Sequence, residues 1–352
     1  MYVEPENLLQ RPKEKTARRI AYIPFDDVGN AYTARMRELL ETFGSVERFA
    51  GIKRLLTQLP RSLHRYDAII VNWMDNAIVD AGSGRLLWRG VAKLFARTLL
   101  MKPFAKRMIF VRHNNYPHHT VAGKEDVACR LIDRYARMFD CVITHSGAAT
   151  GSGEIYCPHP LYRRVNHAPD VSETSLRYGL PADYFLVFGR IVPYKKIDAL
   201  VEVFPAQRTL VVAGIIGDTT YAGKLARLHR PNFIFLPGHL DEADAQCMVQ
   251  SARGVVIANA EADVVVSGTF FYALSLGRTV FALTTPFLEW VQQRIDNDLL
   301  VLRSDLRRLC RAIAASDTLH RDSGSRACVA HEFGDAAIHR ALATALRCEA
   351  RP

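Results

Sequence analysis

The sequence predicts an α/β fold with two domains, each built on a doubly wound parallel sheet. A chain of 352 residues is too long for one ordinary core and favours two domains. Short apolar runs typical of buried parallel strands alternate with helical segments along the chain. Residues 155–170 contain three prolines and little periodicity, and this predicts the connection between the domains.

The first domain is predicted over residues 1–165. It begins with a polar leader, and a helix over residues 31–44 is expected to end at Gly44. The run YDAIIVNW is almost wholly apolar, as in a strand that is covered on both faces. The strands are expected at 18–25, 45–49, 66–73, 108–113 and 140–146.

The second domain is predicted over residues 166–335, where a second alternation of strands and helices begins. A last helix is expected after Gly334, and residues 336–352 form a C-terminal segment whose docking domain the pattern leaves open. The strands of this domain are expected at 184–190, 209–214, 232–238, 254–259 and 278–283.

The composition indicates a globular chain, with 49% apolar and 23% charged residues. The N-terminus has no apolar core of a signal peptide, and no apolar run is long enough to predict a transmembrane helix. The seven cysteines are scattered and contain no CxxC pair, so we expect a reducing compartment rather than a disulfide framework.

The positive charge is concentrated in the first half of the chain. The net charge is +10, and residues 1–170 hold 26 Lys/Arg against 17 Asp/Glu, while residues 81–124 hold nine Lys/Arg and no acid. Arg85, Arg89, Lys93 and Arg97 recur every four residues, which predicts one stripe of an amphipathic helix. Residues 85–107 therefore suit an anionic membrane surface, although packing on the domain itself is the alternative. No nucleic-acid-binding module accompanies the charges, so nucleic acid is not expected as a partner.

Two segments of the second domain predict an anion-binding site. FGRIVPYKK places Arg190 at a strand end and Lys195 before a helix. In EADVVVSGTFFYALSLGR, Ser267 is suited to cap a helix, and Gly268 allows close approach to the first-turn amides. The chain has neither a Walker loop nor GxGxxG, so a nucleotide held by its diphosphate is the remaining interpretation.

These two segments resemble the Gly-Arg…Lys segment and the donor-site helix of GT-B glycosyltransferases, especially family 4. In the first half, GNAYTARMRELLETFG, AIIVNWMD and VRHNNYPHH are similar to acceptor-domain segments of that group and of bacterial xanthan-type exopolysaccharide transferases. The resemblance covers about residues 20–290. It implies a GT-B fold with two Rossmann-like domains facing across a cleft, a nucleotide sugar on the second and an acceptor on the first.

The resemblance also implies residue roles. The cations Arg190 and Lys195 would hold the donor diphosphate, and Ser267, Gly268 and Thr269 would add hydrogen bonds to it. Glu261 would approach the donor sugar or ribose. Retaining family 4 enzymes carry two glutamates spaced E-x7-E, whereas here Thr269 lies eight residues after Glu261 and Tyr272 occupies the place where the second glutamate would align. This departure leaves an inverting mechanism open.

An inverting transfer needs a general base near the acceptor hydroxyl. The candidates are Asp26, Asp27, Asp75 and His113, with helix or turn capping as the alternative role of each carboxylate. Of these, we expect His113, Asp27 and Asp75 at the catalytic site. The three histidines of RHNNYPHH lack the spacing of a metal site, and no essential metal or other cofactor is expected.

The sequence therefore predicts a bacterial hexosyltransferase on the inner face of the cytoplasmic membrane. The acceptor is expected to be a lipid-linked oligosaccharide of exopolysaccharide biosynthesis, and the most specific expectation is an inverting mannosyltransferase that uses GDP-mannose. The alternatives are a retaining family 4-like enzyme that uses a UDP-sugar and a non-catalytic scaffold that binds a nucleotide sugar.

Overall fold

The computed structural model describes residues 18–26, 31–80, 82–117, 120–149, 151, 153–165, 171–259, 266–295, 297–316 and 323–347. The chain divides into two compact units. Unit 1 consists of Met1–Thr144, Gly151–Cys157 and Ile338–Pro352, and unit 2 consists of His145–Thr150 and Pro158–Ala337. The chain therefore enters unit 2 first at residue 145, returns to unit 1 at residue 151, and stays in unit 2 from residue 158 to residue 337.

Unit 1 contains a six-stranded parallel sheet with the strand order β2-β1-β3-β4-β5-β6. The two central strands that follow β1 in this order are apolar and buried, because helices cover both faces of the sheet. Their register pairs Val71 with Phe110. The strands are β1 (Arg18–Ile23), β2 (Gly44–Arg48), β3 (Ala68–Asn72), β4 (Met108–Arg112), β5 (Cys141–Thr144) and β6 (Glu154–Tyr156).

The helices of unit 1 are α1 (Ala31–Glu41), α2 (Ile52–Leu56), α3 (Trp88–Met101), α4 (Glu125–Ala136) and, at the end of the chain, α13 (Asp335–Ala345). Ile338 and Leu342 of α13 are buried in the same apolar cluster as Met36 and Leu40 of α1. The C-terminal helix, whose docking domain the sequence left open, therefore packs on unit 1.

Unit 2 contains a second six-stranded parallel sheet, with the order β12-β11-β10-β7-β8-β9. The strands are β7 (Phe185–Phe188), β8 (Leu210–Gly214), β9 (Phe233–Pro237), β10 (Gly254–Ile257), β11 (Val280–Leu283) and β12 (Leu300–Arg303). The helices are α5 (Val171–Tyr178), α6 (Ile197–Val203), α7 (Thr219–Ala226), α8 (Glu242–Ser251), α9 (Gly268–Ser275), α10 (Pro286–Gln292), α11 (Leu306–Ala315) and α12 (Ser323–Phe333). Two apolar clusters cover the two faces of this sheet.

Several sequence expectations need correction. Two short strands at the sheet edges, β6 and β12, were not predicted from the sequence. Arg85 was placed in the α3 stripe, but α3 begins at Trp88, and the Arg85 carbonyl accepts a hydrogen bond from Asp80 N–H in a turn.

Within the described residues, no helix is both long and apolar enough to cross a bilayer.

Candidate functional site

Lys195 lies in the turn that follows β7, where a short 3₁₀ helix (Pro193–Lys195) leads into α6. Its ammonium nitrogen donates a hydrogen bond to the Phe188 carbonyl at 3.2 Å, at the carboxyl end of β7. Gly189, the residue after Phe188, has φ +106°, a conformation that L side chains rarely adopt. A Cβ at Gly189 would also lie 3.1 Å from Lys195 Nζ, so glycine here lets the ammonium group reach the strand end.

The ammonium group of Lys195 is poorly compensated. Burial is the main reason that the pKa of Lys195 is lowered from 10.5 to about 8, and the nearby charge of Arg190 is the second. Within the described part of the chain, no carboxylate pairs with Lys195, and its hydrogen bond goes to a neutral carbonyl. A bound anion at this position would offset the effects of burial and of the Arg190 charge on the pKa, because it favours the charged form of the lysine.

The N-terminus of α9 meets the same strand end. Ser267 caps the helix, since its Oγ accepts a hydrogen bond from Phe270 N–H at 3.3 Å, and the Ser267 hydroxyl proton stays available to a ligand. Thr269 Oγ1 donates to the Phe188 carbonyl at 3.3 Å, the same carbonyl that Lys195 contacts. The first-turn amides, including those of Gly268, carry the positive end of the helix dipole.

The structure thus brings Lys195, Ser267, Gly268 and Thr269 together at the carboxyl end of β7. Arg190 follows the same strand and is exposed, and its Nε lies 3.3 Å from the position of a Cβ at Gly217, in the loop after β8. Cations and helix amides in this arrangement suit a phosphate or diphosphate group. Glu261, the remaining donor-site residue expected from the sequence, lies outside the described residues.

Two exposed isoleucines beside this loop were not identified from the sequence. Ile215 and Ile216 follow β8 and are 48% and 41% exposed. Ile216 forms a parallel bridge with Ile191, which follows Arg190 directly. An apolar surface next to an anion site is suited to the flat face of a nucleobase. The sequence signal for this apolar surface was the pair of isoleucines directly after a strand, where a loop is usually polar.

Tyr272, which stands where the family 4 pattern has its second glutamate, is 7% exposed. Its ring stacks on Phe188 with centroids 5.1 Å apart, and its hydroxyl donates to Glu242 Oε1 at 2.9 Å. Burial, with the nearby Glu242 charge as the next cause, raises the pKa of Tyr272, so the hydroxyl stays protonated. The carboxylate beside the Tyr272 hydroxyl is supplied by Glu242 of α8.

The unit 1 candidate His113 is 8% exposed and directly follows β4. It is stacked on Trp73, whose backbone has φ 50°, with ring centroids 4.2 Å apart. The His113 Nε2 lies 3.0 Å from Asn72 Oδ1, while the Asn72 amide group donates to the Ile23 carbonyl. Because Oδ1 can only accept, Nε2 carries the proton in this contact.

The carboxylate candidates occupy different environments. Asp75 lies in a 3₁₀ turn after β3 and is only 3% exposed. Burial is the main cause of the raised pKa of Tyr135, and the charge of Asp75 contributes to it, which places Asp75 towards α4. Asp26 forms an ion pair with Arg48. Asp27, like His118 and His119, lies outside the described residues.

Comparisons with known proteins give a likeness in structure alone. No family model and no curated protein sequence matches the chain. HepE of Anabaena, solved with UDP-glucose, has a TM-score of 0.59 and 16% identity over 94% of this chain and 99% of that chain. A glycosyltransferase of Rickettsia africae has a TM-score of 0.63 and 11% identity over 95% of this chain and 98% of that chain. AviGT4, a glycosyltransferase of avilamycin A biosynthesis, has a TM-score of 0.54 and 15% identity over 94% of this chain and 97% of that chain. The chain therefore has the GT-B fold, as its sequence predicted.

Proposed function

We propose that the chain is a glycosyltransferase that binds a nucleoside diphosphate sugar on unit 2. The observation that carries this proposal is the partly buried ammonium group of Lys195, which faces a helix N-terminus and lacks a carboxylate partner within the described residues. Structures of GT-B glycosyltransferases resemble the whole chain, and one of them was solved with UDP-glucose, which supports the proposal.

The proposed chemistry follows from the charges at the site. Transfer breaks the bond between the sugar and the diphosphate, and negative charge grows on the leaving oxygen. Lys195 and Arg190 would neutralise this charge, and the amides of Gly268 and Thr269 would donate hydrogen bonds to it without rearrangement. These groups supply the stabilisation that a metal ion gives in other transferases, so the proposed reaction is independent of an essential metal.

The identity of the donor has two candidates. GDP-mannose follows from the sequence resemblance to xanthan-type enzymes, together with an inverting mechanism. A UDP-sugar is supported by the UDP-glucose in the HepE structure, and a retaining family 4-like reaction goes with it. The exposed Ile215 and Ile216 suit either base, because they offer an apolar face and no hydrogen-bonding side chain.

The acceptor is proposed to bind unit 1, with His113, Asp75 and Asp27 as the candidates for the general base. His113 is favoured among the described candidates, because its ring is held at the end of β4 by Trp73 and Asn72. Asp75 is almost fully buried as described, so its carboxylate would need a local rearrangement to reach a hydroxyl.

We further propose that unit 1 contacts an anionic membrane through α3, as residues 85–107 predicted. The inner side of α3 is buried through Leu94, Thr98 and Met101. The outer side exposes large apolar side chains, with Trp88 at 64% and Leu99 at 58%. The α3 basic stripe, which comprises Arg89, Lys93 and Arg97, is exposed as well. Apolar and basic groups together suit the headgroup region of an anionic bilayer.

A second segment extends this surface. Residues 52–65, here named the leucine segment, contain four Lys/Arg and no acid. Three of its leucines are almost half exposed: Leu56 47%, Leu59 47% and Leu63 46%. The segment adjoins the end of α3, since His64 N–H donates to the Pro103 carbonyl at 2.9 Å. This basic and apolar surface supports a lipid-linked acceptor and a place on the inner face of the cytoplasmic membrane.

The proposed function is tested by product formation. The purified protein is incubated with UDP-glucose or GDP-mannose and with bacterial membranes that contain lipid-linked oligosaccharides, and the product is analysed by mass spectrometry and NMR. We expect transfer by the wild-type protein and none by Lys195→Met. A product that keeps the α-configuration of the donor would exclude the inverting mechanism. Binding of a nucleotide sugar without transfer to any lipid-linked acceptor would favour the scaffold alternative.

A further inference from the structure

The Tyr162 hydroxyl lies over the first residue of α9, where the amides of the anion site begin. A Cβ at Gly268 would lie 3.6 Å from this oxygen. Because a residue's amide nitrogen is about 2.5 Å from its own Cβ, the hydroxyl oxygen and the Gly268 nitrogen are at most about 6 Å apart. One ligand oxygen that accepts a hydrogen bond from each group can bridge donors that are up to roughly 6.2 Å apart, so the two donors can share it.

The hydroxyl has the chemistry of a donor. Burial raises the pKa of Tyr162, and the nearby charge of Glu242 raises it further, so the phenol is neutral at physiological pH. The neighbouring Tyr272 hydroxyl is already committed to Glu242. Among the described residues, the Tyr162 hydroxyl makes no hydrogen bond, and its proton is therefore available to a ligand.

The backbone around Tyr162 is fixed by unit 2. Tyr162 N–H donates to Ser275 Oγ of α9 at 2.8 Å. The fully buried Gln246 of α8 holds the following residues, because it donates to the Arg163 carbonyl at 2.7 Å and accepts from Val165 N–H at 3.0 Å. A side chain on such a fixed backbone loses little conformational entropy when it binds a ligand.

The ring of Tyr162 is also packed in place. Its centroid lies 5.4 Å from that of Tyr272 and 5.7 Å from that of His159, which itself stacks on Phe271 of α9. These contacts involve the ring and not the hydroxyl. Removal of the oxygen alone should therefore leave the packing of unit 2 intact.

We propose that Tyr162 is a donor-binding residue, whose hydroxyl donates a hydrogen bond to a phosphate oxygen held by the first-turn amides of α9. This inference rests on the proposed function, since the phosphate belongs to the nucleoside diphosphate of the donor. It adds a residue from the proline-containing connection, which sequence reasoning treated only as a linker.

The test is Tyr162→Phe, measured by titration calorimetry with UDP and with GDP. Loss of a hydrogen bond to a charged oxygen should weaken binding of the better ligand roughly tenfold. Binding of inorganic diphosphate, measured by competition, should weaken by the same factor, because diphosphate consists only of the group that Tyr162 is proposed to contact. The melting temperature should not change. The matched control is Tyr178→Phe, which removes a hydroxyl that donates to Asp244 Oδ2 at 2.7 Å and should leave ligand affinity unchanged.

The outcomes separate the inference from the function it rests on. If Lys195→Met weakens binding but Tyr162→Phe binds as tightly as the wild-type protein, Tyr162 is not a donor-binding residue and the proposed function remains. Equal losses in Tyr162→Phe and Tyr178→Phe would also overturn the inference, since they indicate a general effect on unit 2. If the wild-type protein and Lys195→Met bind both nucleotides equally, or neither binds, the proposed function fails and the inference fails with it.

Discussion

Raising the pH should weaken nucleotide binding, because Lys195 loses its charge in the free protein. Its pKa is about 8, mainly as a result of burial and then of the Arg190 charge. A bound diphosphate favours the ammonium form and raises this pKa, so binding requires proton uptake above about pH 8. Between about pH 7 and pH 9 the charged fraction in the free protein falls from roughly nine-tenths to one-tenth, and the dissociation constant should rise roughly tenfold.

Titration calorimetry at the two pH values measures this change with UDP and with GDP. The ligand contributes little to it, because terminal phosphates ionise near about pH 6. Repeating the titration at the higher pH in buffers of different ionisation enthalpy reports the proton uptake directly. Lys195→Met is the control, and it should bind weakly with no pH dependence over this range. A wild-type dissociation constant that stays the same at both pH values, or a pH dependence that survives in Lys195→Met, would refute the assignment of Lys195.

Three further predictions concern stability and membrane binding. Lys195→Met should raise the melting temperature at pH 7, because it removes a charge whose burial is unfavourable. This gain should shrink between about pH 8 and 10.5, because the folded wild-type protein has released the lysine proton there while the unfolded chain still binds it, so the wild-type protein becomes more stable. Gly189→Ala should lower both stability and donor affinity, since φ is +106° at this position and the new Cβ would crowd the Lys195 ammonium group. The control is Gly179→Ala, which has φ +63° and open space around its Cβ and should lower stability without changing affinity. Replacing the α3 basic stripe with glutamine should reduce partitioning to anionic vesicles roughly a hundredfold, at about 1 kcal/mol per charge, as measured by vesicle sedimentation; undiminished partitioning would contradict the membrane surface.

The leucine segment gives an independent test of that surface. Serine at Leu56, Leu59 and Leu63 should weaken vesicle binding even when the α3 basic stripe is intact, because exposed apolar area is lost. Leu176→Ser is the matched control, since Leu176 is 84% exposed but lies on α5 of unit 2. If all these variants partition like the wild-type protein, the leucine segment does not contact lipid.

The strands, and the position of Lys195 and of the start of α9 at strand ends, could be predicted from sequence because their signals are local. Runs such as AIIV and MIFV are apolar along their whole length, as burial on both faces requires. Arg190 and Lys195 follow such a run, and the carboxyl ends of parallel strands meet at one edge of a sheet. Ser267 and Gly268 carry the signature of a helix start. These features need no knowledge of which residues are close in space.

Other features depend on contacts between distant residues and could not be predicted. The low pKa of Lys195 arises from burial against the end of β7, and no local pattern reports burial of a lysine. Tyr162 is joined to Ser275 of α9 by a hydrogen bond between residues 113 positions apart in the chain, and it lies in a segment without periodicity. The β6 and β12 strands are too short for a periodic signal. The leucine segment was overlooked because exposure of an apolar residue is decided by tertiary packing.

The most direct test of the central claim is protection of Lys195 from chemical modification. The protein is treated with an amine-acylating reagent near pH 8, with and without UDP or GDP, and labelling of each lysine is measured by peptide mass spectrometry. Lys196 is the internal control, because it is the next residue and is exposed. We expect the preferred nucleotide to slow labelling of Lys195 and to leave labelling of Lys196 unchanged. Equal labelling of Lys195 with and without either nucleotide would contradict a diphosphate site at the end of β7.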